Sequence, residues 1–270
     1  MKKLAVIHLI RKENSPIYLN TFLTSYINYD AGIEHDLILI CKGFDKDENL
    51  NQIYPLLDKI VYTTLIVEDI GFDLDVYFNS SKVLNYNYYF FTNHYCKILS
   101  SNWFLNFYNY CKLEDVGLVG ATASYESIVT NYAHEYKNKK SVFEKIKHTK
   151  DIAVLLFSYN TFPNAHIRTN AFMISFENIC KLRYNKTLTK SLALKLEGGR
   201  NSITNQLLKY KLRPVVVGKD GKGYDLKEWA VSNTFRTKEQ ENLIISDNRT
   251  DDYLNSNNRE LLRFVTWSIR

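Results

Sequence analysis

The sequence predicts an α/β protein: a central, mostly parallel sheet flanked by helices. Three observations carry this. Through the first half of the 270-residue chain, apolar runs of strand length alternate with segments of helical period, a pattern that demands crossover connections between parallel strands. Residues 86–92 are aromatic-rich and almost continuously apolar, as expected of a strand covered on both faces. The composition is 45% hydrophobic and 24% charged, with 20 Tyr and 15 Phe. That supplies apolar area for one large core and places the chain among ordinary globular proteins.

Each element follows in order. Residues 4–10 form a buried strand. Ser15 caps, and Pro16 opens, a helix running to about Asn28. Residues 36–41 are a second strand ending at Lys42-Gly43, 47–57 a helix, and 59–67 a third strand. After Gly71, the residues Leu74, Tyr77, Phe78, Ser81 and Leu84 recur three or four apart and share one helix face, with Asp73 placed to cap the first turn. The strand 86–92 then ends in Asn93-His94. Ligands of open α/β sheets bind at the carboxyl ends of strands, so the site is expected there. Residues 102–111 form a helix with Trp103, Phe107 and Tyr110 on one face, and 116–121 a fifth strand.

The segment 125–150 is polar, with Lys137 to Lys140 and further charges at 144–150. It reads as a solvated helix or insertion, or as a flap over the site or a basic patch. The chain divides into halves 1–125 and 161–270 of one continuous domain, joined by 126–160. The second half opens with a strand in which alternation sends His166, Arg168 and Asn170 to one face. Such a row is either a structural hydrogen-bond network or a contact with phosphate or sugar. Glu197 then falls before a helix that Asn201 can cap, on a loop flexed by Gly198 and Gly199. Ile203, Leu207 and Tyr210 point inward from that helix. A carboxylate at a helix amino terminus is tuned by the dipole; Arg200 beside it can bind phosphate or pair with it. Residues 213–218 are another strand, followed by a turn containing Asp220. The tail from Trp229 onward reads as a strap over the site.

The net charge of +6 is mild over this length. No nucleic-acid-binding module accompanies it, which leaves weak attraction to an anionic membrane face or a phosphorylated substrate. No G-x-G-x-x-G follows the first strand, which argues against a dinucleotide dehydrogenase. Cys41, Cys96, Cys111 and Cys180 form no C-x-x-C pair and read as small core residues. The first apolar run is short, broken by His8 and followed by Arg11-Lys12-Glu13, unlike a signal peptide. The expectation is a cytoplasmic location, with loose contact at the inner membrane face.

Gly71 to Asn79, followed by an aromatic strand ending Phe91-Thr92-Asn93-His94-Tyr95, resembles the GT-A nucleotide-sugar glycosyltransferases of family-two type. There the helix reads roughly G-x-x-x-A-x-N-x-G and the strand ends F-L-D-x-D. The blocks Val119 to Ser124, His166 to Phe172 and Glu197 to Thr204 are similar to a set of uncharacterised bacterial glycosyltransferase-like proteins. The resemblance implies a GT-A fold and transfer of a sugar from a nucleotide sugar to a glycan or lipid-linked acceptor, with inversion. Two departures accompany it. Asn93 and His94 stand where the family's two metal-binding Asp lie, so Mg²⁺ or Mn²⁺ has at most Asn93 as a weak ligand. The second strand ends Cys41-Lys42-Gly43-Phe44 where the family has D-D-G-S. The implied roles are Glu197 as base; Arg11, Lys42, Asp73, Asn93, His94, Arg168 and Arg200 toward the donor; and His166, Asn170, Asp220 and Trp229 toward the acceptor. Arg168, Arg200 or Lys42 would then neutralise the leaving diphosphate. The alternative is a nucleotide- or carbohydrate-binding module without turnover.

Overall fold

The computed structural model describes residues 3–45, 48–135, 141–186 and 188–268. In chain order the elements are β1 (Leu4–Arg11), α1 (Pro16–Asn28), β2 (Asp36–Lys42), α2 (Leu50–Ile53), β3 (Thr63–Val67), α3 (Asp73–Val83), β4 (Tyr88–Thr92), β5 (Lys97–Ile98), α4 (Trp103–Cys111), β6 (Val116–Gly120), β7 (Ala123–Ser124), α5 (Ile128–His134) and α6 (Val142–Ser158). Then come β8 (His166–Ile167), β9 (Ala171–Ser175), α7 (Phe176–Lys181), α8 (Lys190–Gly198), α9 (Ile203–Lys209), β10 (Arg213–Val217), β11 (Gly223–Tyr224), β12 (Ile245–Ser246), α10 (Asn248–Asn255) and α11 (Arg259–Trp267).

Side-chain alternation in the strands sets the layers. Leu4, Val6 and Ile10 of β1 enter one apolar cluster; Ala5, Ile7 and Leu9 enter another on the opposite face. β4 divides likewise. Phe90 packs against Phe107, with ring centroids 4.7 Å apart, and Phe91 stacks on Tyr77, also at 4.7 Å. α1 and α4 cover the first face through Phe22, Trp103 and Phe104; α3 and α9 cover the second through Tyr77, Phe78, Ile203 and Leu207. Burial on both faces explains why these strands read as apolar runs.

The sheet order is β11-β10-β6-β9-β4-β1-β2-β3. β1 is parallel to β2 and β4, β2 to β3, and β6 to β10. β9 runs antiparallel between β4 and β6. The chain moves outward through β1, β2 and β3, then returns to the far side of β1 as β4. This creates a topological switch point between β1 and β4.

Several local expectations are corrected. The segment 47–57 is only the short α2 followed by a 3₁₀ turn, Pro55–Lys59; Pro55 lacks the N–H that would continue an α-helix, and Asp47 lies outside the described residues. Asp73 does not cap α3. Phe72 occupies the cap position without a side-chain hydrogen bond, and Asp73 is the first helical residue. Cys180 is exposed, whereas the other three cysteines are buried. The polar segment folds as α5 and α6, whose caps are Ser127 and Ser141; Lys137 to Lys140 lie outside the described residues. Among the described residues no helix is long and apolar enough to cross a membrane.

Candidate functional site

Parallel strands deliver their last residues to one edge, and polar side chains collect there. Arg11 ends β1, Lys42 ends β2, and Asp69 follows β3. The Arg11 guanidinium donates to Asp69 Oδ2 at 2.9 Å; Lys42 Nζ lies 3.2 Å from Asp69 Oδ1 and donates to the Gly71 carbonyl. The Arg11 hydrogen bond, reinforced by Lys42, holds the Asp69 carboxyl below its usual range. Gly71 is required at this corner: its φ is +72°, and a Cβ would sit 2.9 Å from Asp75 Oδ2. The chain then enters α3 at Asp73. Burial pushes the Asp73 carboxyl up, Lys42 and Arg11 oppose this, and Glu197 pushes it further up. The two carboxylates therefore feel one another although 124 positions separate them in sequence (197 minus 73).

Asp73, Asn93, Asn170 and Glu197 line a cleft of about 350 Å³. A second cavity of about 330 Å³ is lined by Glu126, His166, Arg236 and Phe235. Arg168, Glu197, Leu194 and Arg249 border both, so the two form adjoining lobes that meet at Glu197. The expected single strand through His166, Arg168 and Asn170 is broken. His166 belongs to β8, which pairs with β7; β9 starts at Ala171. The bend between them sends His166 to the second lobe and Asn170 to the first, with Arg168 at the junction. Arg168 donates to buried Asp247 at 2.7 Å and to Thr122 Oγ1 at 3.2 Å, and lies 4.2 Å above the Phe235 ring. His166 Nδ1 is 2.8 Å from the Asn164 carbonyl oxygen. Asn170 Oδ1 accepts from Thr122 at 3.0 Å, while its amide nitrogen is buried without a partner.

Glu197 does not precede a helix. It lies in the last turn of α8, and Gly199 is that helix's C-cap. Its Oε1 accepts from the Thr169 backbone N–H at 3.0 Å, which fixes the carboxylate in the cleft. The next helix, α9, is capped by Ser202 rather than Asn201, and Tyr210 sits half-exposed at its far end.

Six expected residues line neither lobe: Arg11 and Lys42, which are held by Asp69, and four others. Arg200 turns away to the end of α6, donating from Nε to the Leu156 carbonyl at 2.8 Å. His94 is buried against the Tyr18 and Tyr95 rings. Burial lowers its pKa to about 4, with a Ser15 backbone hydrogen bond opposing and the Arg11 charge assisting. Asp220 accepts from the Tyr224 hydroxyl at 2.7 Å, in the exposed β10–β11 turn. Trp229 is fully buried and donates to the Tyr224 carbonyl at 3.1 Å. Conversely, Asp247, Arg249 and Lys190 line the cleft and were not expected. Asp247 had one legible signal: Asp247-Asn-Arg-Thr250 is a helix-capping sequence, realised at the start of α10.

A divalent cation of the kind that the GT-A resemblance implies does not fit these residues. Asn93 Oδ1 is occupied by the Tyr95 N–H at 3.1 Å and faces the Cys96 thiol at 3.3 Å. Asp247 is committed to Arg168. Among the described residues no group of three or more His, Cys, Asp or Glu could hold a metal ion.

No protein-family model matches the chain, and no curated protein matches it. Among solved structures it is similar to mouse xyloside xylosyltransferase 1 in its apo form, with 11% identity, 80% of this chain and 85% of that chain covered, and a TM-score of 0.39. It is also similar to a mannosyltransferase from Pyrobaculum calidifontis in complex with GDP-Man and Mn²⁺. That match has 9% identity, 86% of this chain and 60% of that chain covered, and a TM-score of 0.47.

Proposed function

We propose that the protein transfers a sugar from a nucleotide sugar to a hydroxyl of a glycan or lipid-linked acceptor, with inversion. The observation that carries this reading is the position of Glu197, a carboxylate oriented by the Thr169 N–H at the meeting of two lobes. One lobe opens beyond the carboxyl end of β4, beside Asn93, the end at which ligands bind open α/β sheets; it receives the donor, with Asp73 and Asn93 toward its ribose or sugar. The other receives the acceptor, beside His166. The acceptor oxygen attacks the anomeric carbon, its proton passes to Glu197, and the bond from that carbon to the phosphate oxygen breaks with its electron pair leaving on the nucleotide.

Glu197→Gln keeps the acceptor for the Thr169 N–H but cannot take a proton. Turnover is expected to fall by roughly 10²–10⁴-fold, with nucleotide affinity nearly unchanged by calorimetry. Undiminished turnover rejects the assignment. A second reading, a nucleotide- or carbohydrate-binding module, is favoured by the Asn93-His94 tip, which offers no carboxylate. It predicts binding of a nucleotide sugar with neither hydrolysis nor transfer by the native chain.

A further inference from the structure

Resting on that reading, we infer that the donor's diphosphate is held by Lys190 and Arg249, two cations from the second half of the chain, with the Asn170 amide as a buried donor, and without a divalent ion. The argument begins by elimination among cations at the carboxyl edge. Arg11 and Lys42 are committed to Asp69, and Lys42 also to the Gly71 carbonyl. Arg168 is committed to Asp247, and Arg200 points to α6. Among the described residues Lys190 and Arg249 remain, and both line the first lobe. Arg249 has a loose contact with Asp252 at 3.8 Å, and its side chain is 58% exposed. Lys190 is exposed.

The helix dipole disfavours their placement. Lys190 and Arg249 occupy the first turns of α8 and α10. A cation there opposes the positive end of the helix dipole, so each helix is weakened by the residue it carries. A bound anion removes the conflict, because it is attracted by both the side chain and the helix end. α3 presents its own amino terminus to the same cleft through Phe72, Asp73 and Leu74, with no side chain capping it. Asn170 supplies an independent sign. It is 4% exposed, it lines this lobe, its oxygen is taken by Thr122, and its amide nitrogen has no partner. Buried donors are ordinarily satisfied; this nitrogen is closed to solvent, and a small turn of the side chain toward the lobe would bring it to a phosphate oxygen. When the anomeric bond breaks, the electron pair stays on the terminal phosphate oxygen. The two cations neutralise that growing charge, as a metal would elsewhere.

The test uses binding alone, so that it stands apart from the Glu197 experiment. UDP, GDP, dTDP and inorganic pyrophosphate are titrated calorimetrically into the full chain, in EDTA and then in Mn²⁺. At least one nucleoside diphosphate is expected to bind in EDTA, with affinity changed less than about twofold by Mn²⁺. Lys190→Gln and Arg249→Gln are each expected to weaken it about tenfold, while the matching nucleoside binds both variants and the native chain equally. Both side chains are exposed, and circular dichroism verifies that the variants fold. Binding that requires Mn²⁺, no diphosphate binding in EDTA, or two variants with native affinity would each overturn the inference. A chain that binds diphosphate in this way but keeps turnover as Glu197→Gln would instead fail the base assignment and leave the clamp standing.

Discussion

Arg168 shows how much of the site depends on one side chain. It joins buried Asp247 to the junction of the two lobes and stacks on Phe235. Asp247 is 1% exposed, and a buried charge left alone is costly. Arg168→Met is therefore expected to lower stability by about 3–5 kcal/mol. Adding Asp247→Asn should recover part of that loss, because the uncompensated charge is gone. Denaturant titrations of the four chains check this; strictly additive effects would mean that the pair is not coupled. The importance of Arg168 was legible as one of three polar residues on a strand, but its partner was not. The pair spans 79 positions, and no periodicity reports on that. Glu197 was legible as a carboxylate worth attention, and it does line the cleft, but its setting was misread. Two glycines before an apolar period look like a loop leading into a helix, yet here Gly198 ends one helix and Gly199 follows as its C-cap in an extended conformation.

At the scale of elements, the end of α8 is held by close backbone approach. A Cβ on Gly199 would lie 2.4 Å from the Lys195 carbonyl oxygen and 3.0 Å from that of Ser158. Gly199→Ala must distort the last turn of α8, where Lys195 stands, as well as its approach to the end of α6, and so displace Glu197. The expected cost is about 1–3 kcal/mol of stability, with a fall in kcat and an unchanged nucleotide Kd. A native kcat would mean that the turn is not what positions Glu197. Outside 47–62, most strands and helices of the first half were readable because they declare themselves through local period. The break between β8 and β9 was not. Ile167 and Ala171 both suit one continuous apolar alternation, and only the pairing of Ile167 with Ala123 pulls the first piece into a separate two-stranded sheet.

For the whole molecule, acid is the revealing variable. His8 is fully buried and stacked on Phe22 at 3.7 Å; burial, with His94 assisting, holds its pKa well below the ordinary value. His94 is lowered to about 4. In the unfolded chain both titrate near 6.5. Below that pH the unfolded state binds the extra protons, so stability is full above about 6.5 and declines as the pH falls toward the folded values. Between pH 6.5 and 4.5 the His94 share is about 2 kcal/mol. Urea midpoints of the native chain and His94→Gln should converge as the pH falls through this range, and parallel curves would reject the account. The class of sheet was legible in the sequence because parallel strands need crossovers that leave a rhythm. The antiparallel β9, inserted between β4 and β6, leaves none. Its place has a consequence for biosynthesis. β4 and β6 leave the ribosome before the strand that bonds to both, so a nascent chain short of residue 171 leaves β4 open on one side and β6 open on both, since β10 also comes later. That interval is when the protein most needs a chaperone.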